Sequence, residues 1–190
     1  MNLIEHLQQV PDFRTQPRYP LWVILVLIIM GTMSGCTGYR SLEDFVKRHQ
    51  RDLLEVMGLP HSRLPSYSTL RKAMIRINFE FFTQAFNAWA SETFPVSAQE
   101  QIPVDGKSIK ATVQDYDKSH QDFISTVSAF SAEQGVVVGL QSMHNRGGSE
   151  IVTVGTLLET LKLKGVCFSM DALHTQKKQL RRLSTVAMTT

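Results

Sequence analysis

Two aspartates in this sequence have the residue type and the setting that metal-assisted chemistry requires. Asp105 lies in the segment "IPVDGKSIK" and Asp171 lies in "FSMDALHTQ", and each follows a short apolar stretch. A short apolar stretch that ends at a charged residue is typical of a buried strand whose end reaches solvent. The sequence therefore predicts two exposed carboxylates at the ends of two strands.

Two such carboxylates could serve phosphodiester chemistry. That chemistry uses oxygen ligands to hold two divalent ions about 3.5 to 4 Å apart, where one ion activates the attacking oxygen and the other stabilises the leaving oxygen. Mg²⁺ binds through a few carboxylates and keeps water and substrate phosphates as its other ligands. The alternative is that both aspartates are ordinary surface or turn residues, because Asp-Gly is a common turn dipeptide and Gly106 follows Asp105.

The two aspartates are 66 positions apart in the chain, so only the fold can bring them together. Apolar patterning in this half predicts strands at 101–109, 122–131, 135–143 and 165–171, with a helix at 148–163 before the last strand. The order β-β-β-α-β is that of the first part of a ribonuclease-H-like fold. In that fold the first and fourth strands would lie side by side, and Asp105 and Asp171 would meet.

The first half of the chain has the periodicity of helices. Helices are predicted over residues 1–10, 21–30, 42–58, 66–77 and 79–94. Ser41 is the predicted N-cap of the third helix, with Asp44 at the position of the capping-box acid. The aromatic residues of the last helix are expected in the core rather than on a base-stacking surface.

The predicted fold class is α+β. An all-helical N-terminal domain occupies residues 1–97, and an incomplete ribonuclease-H-like catalytic domain of the β-β-β-α-β type occupies residues 98–178. Residues 179–190 form a basic tail.

The predicted helix at 66–77 is the strongest candidate for contact with DNA. Arg71, Lys72 and Arg76 are placed to face outward, and a short loop separates this helix from the one before it. A helix, a turn and a helix that begins with basic residues are compatible with helix-turn-helix DNA reading. The alternative is an ordinary bundle helix with a solvated basic face.

The charge distribution limits what can be inferred from the whole chain. The net charge is +3, but residues 172–190 alone contribute +4 and the remaining 171 residues carry −1. Overall basicity is therefore weak evidence for a nucleic-acid partner.

The apolar run "LWVILVLIIM" at 21–30 is too short to cross a membrane. As a helix its ten residues would span about 15 Å, which is half of a bilayer core. A buried core helix is the favoured interpretation, and a signal or lipoprotein segment ending at Cys36 is the alternative. The two cysteines form no CxxC pair, which suits a reducing compartment. We expect a cytoplasmic protein with no membrane partner.

Several segments together resemble the DDE transposases of the H-repeat-associated insertion-sequence family. "LIEHLQQVPDFRTQPRYPLWVILVLIIMGTMSGCTGYRSLEDFVK" is similar to the N-terminal associated domain of that family. "IPVDGKSIK" resembles its first catalytic segment, "STVSAFSAEQGVVVGLQSM" with the later "SEI" resembles its central strands and helix start, and "FSMDALHTQK" resembles its second catalytic segment. The resemblance extends over residues 1–178, with the segments in the family's order.

The resemblance implies a function for the two aspartates. Asp105 and Asp171 would be the first two acids of the DDE triad and would bind Mg²⁺ or Mn²⁺ in a two-ion site. Family members cut DNA at element ends and join the freed 3′ hydroxyl to target DNA, in an assembly that holds two ends.

The resemblance also includes residues that flank the two acids in the catalytic segments. These residues are Gly106, Lys107, His174 and Gln176. Lys107 would contact a DNA phosphate or remain an ordinary surface lysine. The implied partners are element-end and target DNA and further copies of the chain or of the full-length transposase.

The third acid of the triad has no counterpart in this sequence. Residues 172–190 contain neither Asp nor Glu, and the resemblance stops near Lys178. A frameshift would produce the basic tail at 179–190; an early stop or a genuine short product are the alternatives. With only two of the three acids, this chain is expected to be inactive as an enzyme when it acts alone. The second functional hypothesis is accordingly a truncated product without catalytic activity that binds element ends or the full-length enzyme.

Overall fold

The computed structural model describes residues 1–60, 62–114, 122–144 and 149–171. The chain divides into two compact units, Met1–Ala85 and Phe86–Thr190. Helices precede a mixed four-stranded sheet, so the α+β class predicted from the sequence is confirmed.

The helices before the sheet follow the predicted order with changed bounds. They are α1 Leu3–Leu7, α2 Leu21–Met33, α3 Tyr39–Arg48, α4 Gln50–Val56, α5 Tyr67–Arg76 and α6 Phe79–Thr93. The division between the two units falls inside α6.

Helix α2 forms the core of the first unit. The side chains of Val23, Ile24 and Leu27 are completely buried, and α1, α3 and α5 pack against this helix. The apolar run is therefore a buried core helix, as predicted. Across the described ranges, no helix has both the length and the apolar character that a membrane crossing demands.

Ser41 is not the N-cap of the third helix. α3 begins at Tyr39 after Gly38, and the Ser41 hydroxyl accepts a hydrogen bond from the Gly38 N–H at 3.2 Å and donates one to the Gly38 carbonyl at 2.8 Å. The predicted capping box with Asp44 is wrong because the chain becomes helical before Ser41. The predicted single helix at 42–58 is also two helices, which meet at His49.

The second unit contains the predicted strands and the helix between them. These elements are β1 Gln101–Gln114, β2 Asp122–Ser131, β3 Val136–His144, α7 Glu150–Leu161 and β4 Cys167–Met170. The order in the sheet is β3-β2-β1-β4. β2 is antiparallel to both β1 and β3, whereas β4 is parallel to β1. The predicted element order and the pairing of the first and fourth strands are confirmed.

Helix α7 covers one face of the sheet. Ile102, Val104 and Val127 from the strands are buried together with Val154 and Leu157 from the helix. Burial of such side chains contributes about 1.5 to 3 kcal/mol each relative to exposure, so this cluster accounts for much of the stability of the unit.

The side chain of Asn87 in α6 protects the outer edge of the sheet. Its amide nitrogen donates to the Leu140 carbonyl and its amide oxygen accepts from the Leu140 N–H, both at 2.8 Å. Leu140 belongs to β3, which is an edge strand. An edge strand exposes unpaired backbone groups that can recruit another chain, so one buried amide blocks such pairing at this position.

Candidate functional site

The parallel pairing of β1 with β4 brings the two predicted acids to neighbouring backbone positions. The register pairs Pro103 with Ser169 and Val104 with Met170. The same offset, continued by one residue, sets Asp105 beside Asp171. Neighbouring strands lie about 4.8 Å apart, so residues separated by 66 positions in the sequence come side by side.

Both aspartate side chains reach solvent. Side chains alternate between the two faces of a strand, and Val104 is buried beneath α7. Asp105 therefore projects from the opposite face, where it is exposed together with Lys107. Asp171 directly follows β4 and is also exposed.

The Asp105–Gly106 dipeptide is not a turn. Both residues lie within β1 and pair with Ser128 and Val127 of β2. The predicted strand end at residue 109 is also wrong, because β1 continues to Gln114. Asp105 thus lies within a strand that pairs with β2 rather than in a loop, which fixes the direction of its side chain.

Gly106 leaves room for the carboxylate of Glu150 against β1. A Cβ built on Gly106 would overlap the carboxylate of Glu150 at the start of α7. Gly106 faces α7, so Glu150 approaches β1 from the face opposite to Asp105. The sequence alone does not reveal this contact, because the contact depends on how α7 packs on β1.

The carboxylate chemistry suits Mg²⁺ or Mn²⁺, which are bound by hard oxygen ligands. Among the described residues there is no cluster of three or more His, Cys, Asp or Glu that could hold a metal. Asp105 and Asp171 are the residues that could contribute carboxylate oxygens to such an ion, with water and phosphate as its other ligands.

A buried carboxylate positions the beginning of β1. Glu100 is only 2% exposed and accepts hydrogen bonds from the Ser131 hydroxyl and from the N–H groups of Ser97 at 3.0 Å and Glu133 at 3.4 Å. The hydrogen bond from Ser131, followed by the two backbone bonds, holds the pKa of Glu100 below its ordinary value although burial opposes the shift. This carboxylate ties the start of β1 to the turn between β2 and β3.

The basic residues predicted to bind DNA lie on different elements. Arg71 and Lys72 are exposed on α5 in the first unit, and Lys107 is exposed on β1 in the second. Arg76 is also exposed, and its guanidinium lies 5.1 Å from the centre of the Phe13 ring. The remaining predicted site residues, His174 and Gln176, lie outside the described residues.

Two comparisons with known proteins find relatives of this chain. The family described as "DDE_Tnp_1-associated" matches residues 4–90. The chain is 30% identical over 179 residues to the "H repeat-associated putative transposase YhhI" of Escherichia coli strain K12, an alignment that covers 93% of this chain and 46% of YhhI. No solved structure matches the chain.

Two shorter proteins of the same strain are covered more completely. The "H repeat-associated putative transposase YbfD" is 30% identical over 93% of this chain and 69% of its own length. The "Putative transposase YncI" is 31% identical over 93% of this chain and 70% of its own length. This chain therefore spans about half the length of YhhI and about 70% of the other two.

Proposed function

Because the chain belongs to the H-repeat-associated transposase family, we propose that it acts in DNA transposition through the paired aspartates Asp105 and Asp171. The activity proposed is metal-dependent cleavage of DNA at element ends and transfer of the freed strand to target DNA. The similarity supports this role over most of the chain, since the alignments with YbfD and YncI each cover 93% of it.

One observation carries the proposal. Parallel strands in register, with Val104 opposite Met170, put one aspartate beside the other on the exposed side of the sheet. The strand order β3-β2-β1-β4, with β4 parallel to β1, is consistent with a ribonuclease-H-like catalytic domain. We assign that fold to the second unit.

The protein's own groups supply binding and orientation. Asp105 and Asp171 would hold Mg²⁺ or Mn²⁺; such ions, when bound, activate the attacking oxygen and stabilise the leaving oxygen. Lys107 is two residues beyond Asp105 on the same face of β1, about 6.8 Å along the strand. From there its ammonium group would bind a phosphate of the DNA and orient the strand.

Two acids alone should bind the metal weakly. Within the described residues no further His, Cys, Asp or Glu joins the pair, and residues 172–190 contain neither Asp nor Glu. Glu150 approaches from the opposite face of β1, so we do not assign it as the third acid.

The first unit would bind DNA through Arg71 and Lys72 of α5, whose exposed cations suit phosphate contacts.

Metal binding and DNA cleavage test the proposal separately. Wild type, Asp105→Asn and Asp171→Asn are compared by calorimetric titration with Mn²⁺ and by nicking of a supercoiled plasmid that carries the DNA flanking the gene. Asp44→Asn is the matched control, because Asp44 is an exposed aspartate of α3 and loses the same charge.

We expect weak Mn²⁺ binding in wild type and in Asp44→Asn and its loss in the two other variants; any metal-dependent nicking should be slow and should be lost together with the binding. Nicking that persists equally in Asp105→Asn would show that the paired aspartates are not the catalytic acids. Specific binding of the flanking DNA without cleavage, unchanged by Asp105→Asn, would favour the inactive binding product instead.

A further inference from the structure

A second polar site, in the first unit, contains three arginines that the sequence analysis did not select. A pocket with a volume of about 410 Å³ is lined by Arg14, Arg18, Tyr19, Arg63, Leu64, Ser66 and Thr69. We call it the arginine pocket. Its lining contains three guanidinium groups, three hydroxyl side chains and no carboxylate.

The pocket is built by hydrogen bonds between two loops. The Tyr19 side chain is buried, and its hydroxyl donates to the Arg63 carbonyl at 2.7 Å, across 44 positions in the sequence. This bond ties the loop before α2 to the loop before α5. Because both loops bear arginines, the bond holds the backbones at Arg18 and Arg63 at one pocket before any ligand binds.

One of the three arginines is already neutralised. The Arg14 guanidinium donates to both carboxylate oxygens of Asp12, at 2.8 and 2.7 Å, and to the Tyr19 carbonyl at 2.8 Å. Asp12 also accepts from the N–H of Leu21, the first residue of α2. Arg14 therefore belongs to the framework that shapes the wall of the pocket.

The other two arginines retain their charge. Arg18 and Arg63 are exposed, and within the described ranges neither guanidinium has a carboxylate partner. The Arg18 and Arg63 guanidiniums therefore offer positively charged hydrogen-bond donors to a ligand. The neighbouring Ser66 and Thr69 side chains add neutral hydroxyls. Such a set recognises a phosphate group, because the planar guanidinium matches two phosphate oxygens at once.

The arginine pocket continues along one side of α5. Thr69 in the pocket is followed by Lys72 and Arg76 at helical spacings of three and four residues, which lie on one side of a helix. The Arg76 guanidinium in turn lies over Phe13, the neighbour of Arg14. A row of cations that begins in a pocket and continues along a helix fits a chain of phosphates better than a single free anion.

We propose that the arginine pocket binds a backbone phosphate of DNA, with Arg18 and Arg63 as its charged ligands. This inference rests on the proposed DNA-binding role but not on the paired aspartates. The phosphate fixes the position of the DNA on the first unit without reading its sequence, since backbone contacts carry no base information.

The test compares two charge-matched double variants of the full chain. Arg18→Gln with Arg63→Gln removes the pocket cations. Arg48→Gln with Arg51→Gln removes two exposed arginines of α3 and α4 that do not line the pocket. Binding to a labelled duplex of random sequence is measured by fluorescence anisotropy in EDTA, which prevents cleavage, and circular dichroism confirms the fold of each variant.

The salt dependence of binding counts the phosphate contacts. Each phosphate contact makes the slope of log K against log salt more negative by about 0.9. Raising the salt from about 50 to 200 mM therefore lowers the affinity by a factor that is about 3.5-fold smaller when one contact is lost. We expect this change in the pocket variant and not in the Arg48 and Arg51 control. Equal changes in both variants would overturn the proposal, because the effect would then be one of overall charge. Arg18→Lys with Arg63→Lys keeps the charge and should recover only part of the affinity.

A second measurement separates DNA from free phosphate as the ligand. The melting temperature is recorded in inorganic phosphate and in sodium chloride of the same ionic strength. A phosphate-specific rise that is lost in the pocket variant, with unchanged DNA binding, would assign the pocket to a free anion and overturn the DNA assignment. These results do not depend on Asp105 or Asp171, so failure of the pocket and failure of the proposed catalysis are distinguishable.

Discussion

Removing the Asn87 side chain should destabilise the second unit by an amount that its hydrogen bonds determine. Asn87→Ala deletes two hydrogen bonds of 2.8 Å to the backbone of Leu140, and Asn87 is only 7% exposed. At about 1 kcal/mol for each bond, the expected loss in the free energy of unfolding is ~2 kcal/mol. In a chain of 190 residues this loss lowers the melting temperature by about 4–8 °C.

The assay is thermal unfolding followed by circular dichroism, with Gln84→Ala as the control. Gln84 is an exposed amide on the same helix, so its truncation should change stability by less than about 0.5 kcal/mol. Asn87→Ala that melts at the same temperature as Gln84→Ala would refute the reasoning, since the two bonds would then contribute nothing net.

The isosteric Asn87→Asp change tests how much the hydrogen bond donated by Asn87 contributes, compared with the one that it accepts. It keeps an acceptor for the Leu140 N–H but sets a carboxylate oxygen against the Leu140 carbonyl oxygen. We expect a loss at least as large as that of Asn87→Ala at neutral pH. Burial beside the carbonyl oxygen raises the folded-state pKa of this carboxyl, so the difference from wild type should narrow as the pH falls from that raised pKa to the ordinary value of about 4, because the protonated group can donate again. A difference independent of pH would argue against a lost donor as the cause.

Three further changes follow from side-chain contacts. Because the pKa of Glu100 is lowered in the folded protein, its carboxylate stabilises the fold at pH values above the ordinary pKa of 4.5. This stabilisation is lost as the pH falls through the lowered folded-state pKa. The difference in unfolding free energy between wild type and Glu100→Gln, measured in urea, should therefore disappear at acidic pH. Gly106→Ala should lower the melting temperature because the new methyl group meets the Glu150 carboxylate, at a cost of about 1 kcal/mol, and adding Glu150→Ala should restore it. Leu27→Ala, in a completely buried position of α2, should cost about 2–5 kcal/mol in chemical denaturation, whereas Val56→Ala, at a position 85% exposed, should cost little.

The parts of the fold that were predictable are those that depend on local pattern. The strand at 122–131 matches β2 from Asp122 to Ser131, because its alternating side chains report one buried and one open face. The pairing of the first and fourth strands also followed, since the element order leaves few ways to build one sheet. The neighbouring backbone positions of Asp105 and Asp171 follow from this pairing.

The predicted helix bounds in the N-terminal half are wrong where they depend on backbone geometry or on contacts between residues that are distant in sequence. Ser41 has the residue type of an N-cap, but its hydrogen bonds to the backbone of Gly38 accompany a start of α3 three residues earlier. Gly31 lies inside α2, where a Cβ would overlap Leu42 of α3. The sequence alone does not distinguish a glycine that ends a helix from a glycine that leaves room for a neighbouring side chain.

The arginine pocket shows why a binding site can escape a search for local motifs. Its charged residues occur singly, at Arg14, Arg18 and Arg63, in loops that carry no regular pattern. They become a site only because the buried Tyr19 hydroxyl joins the two loops. Replacing Tyr19 with Phe keeps the buried ring and removes the hydroxyl that donates this bond, so it should weaken DNA binding in the same direction as the loss of Arg18 and Arg63. Unchanged binding in Tyr19→Phe would mean that packing of the ring, rather than the hydroxyl, holds the loops in place.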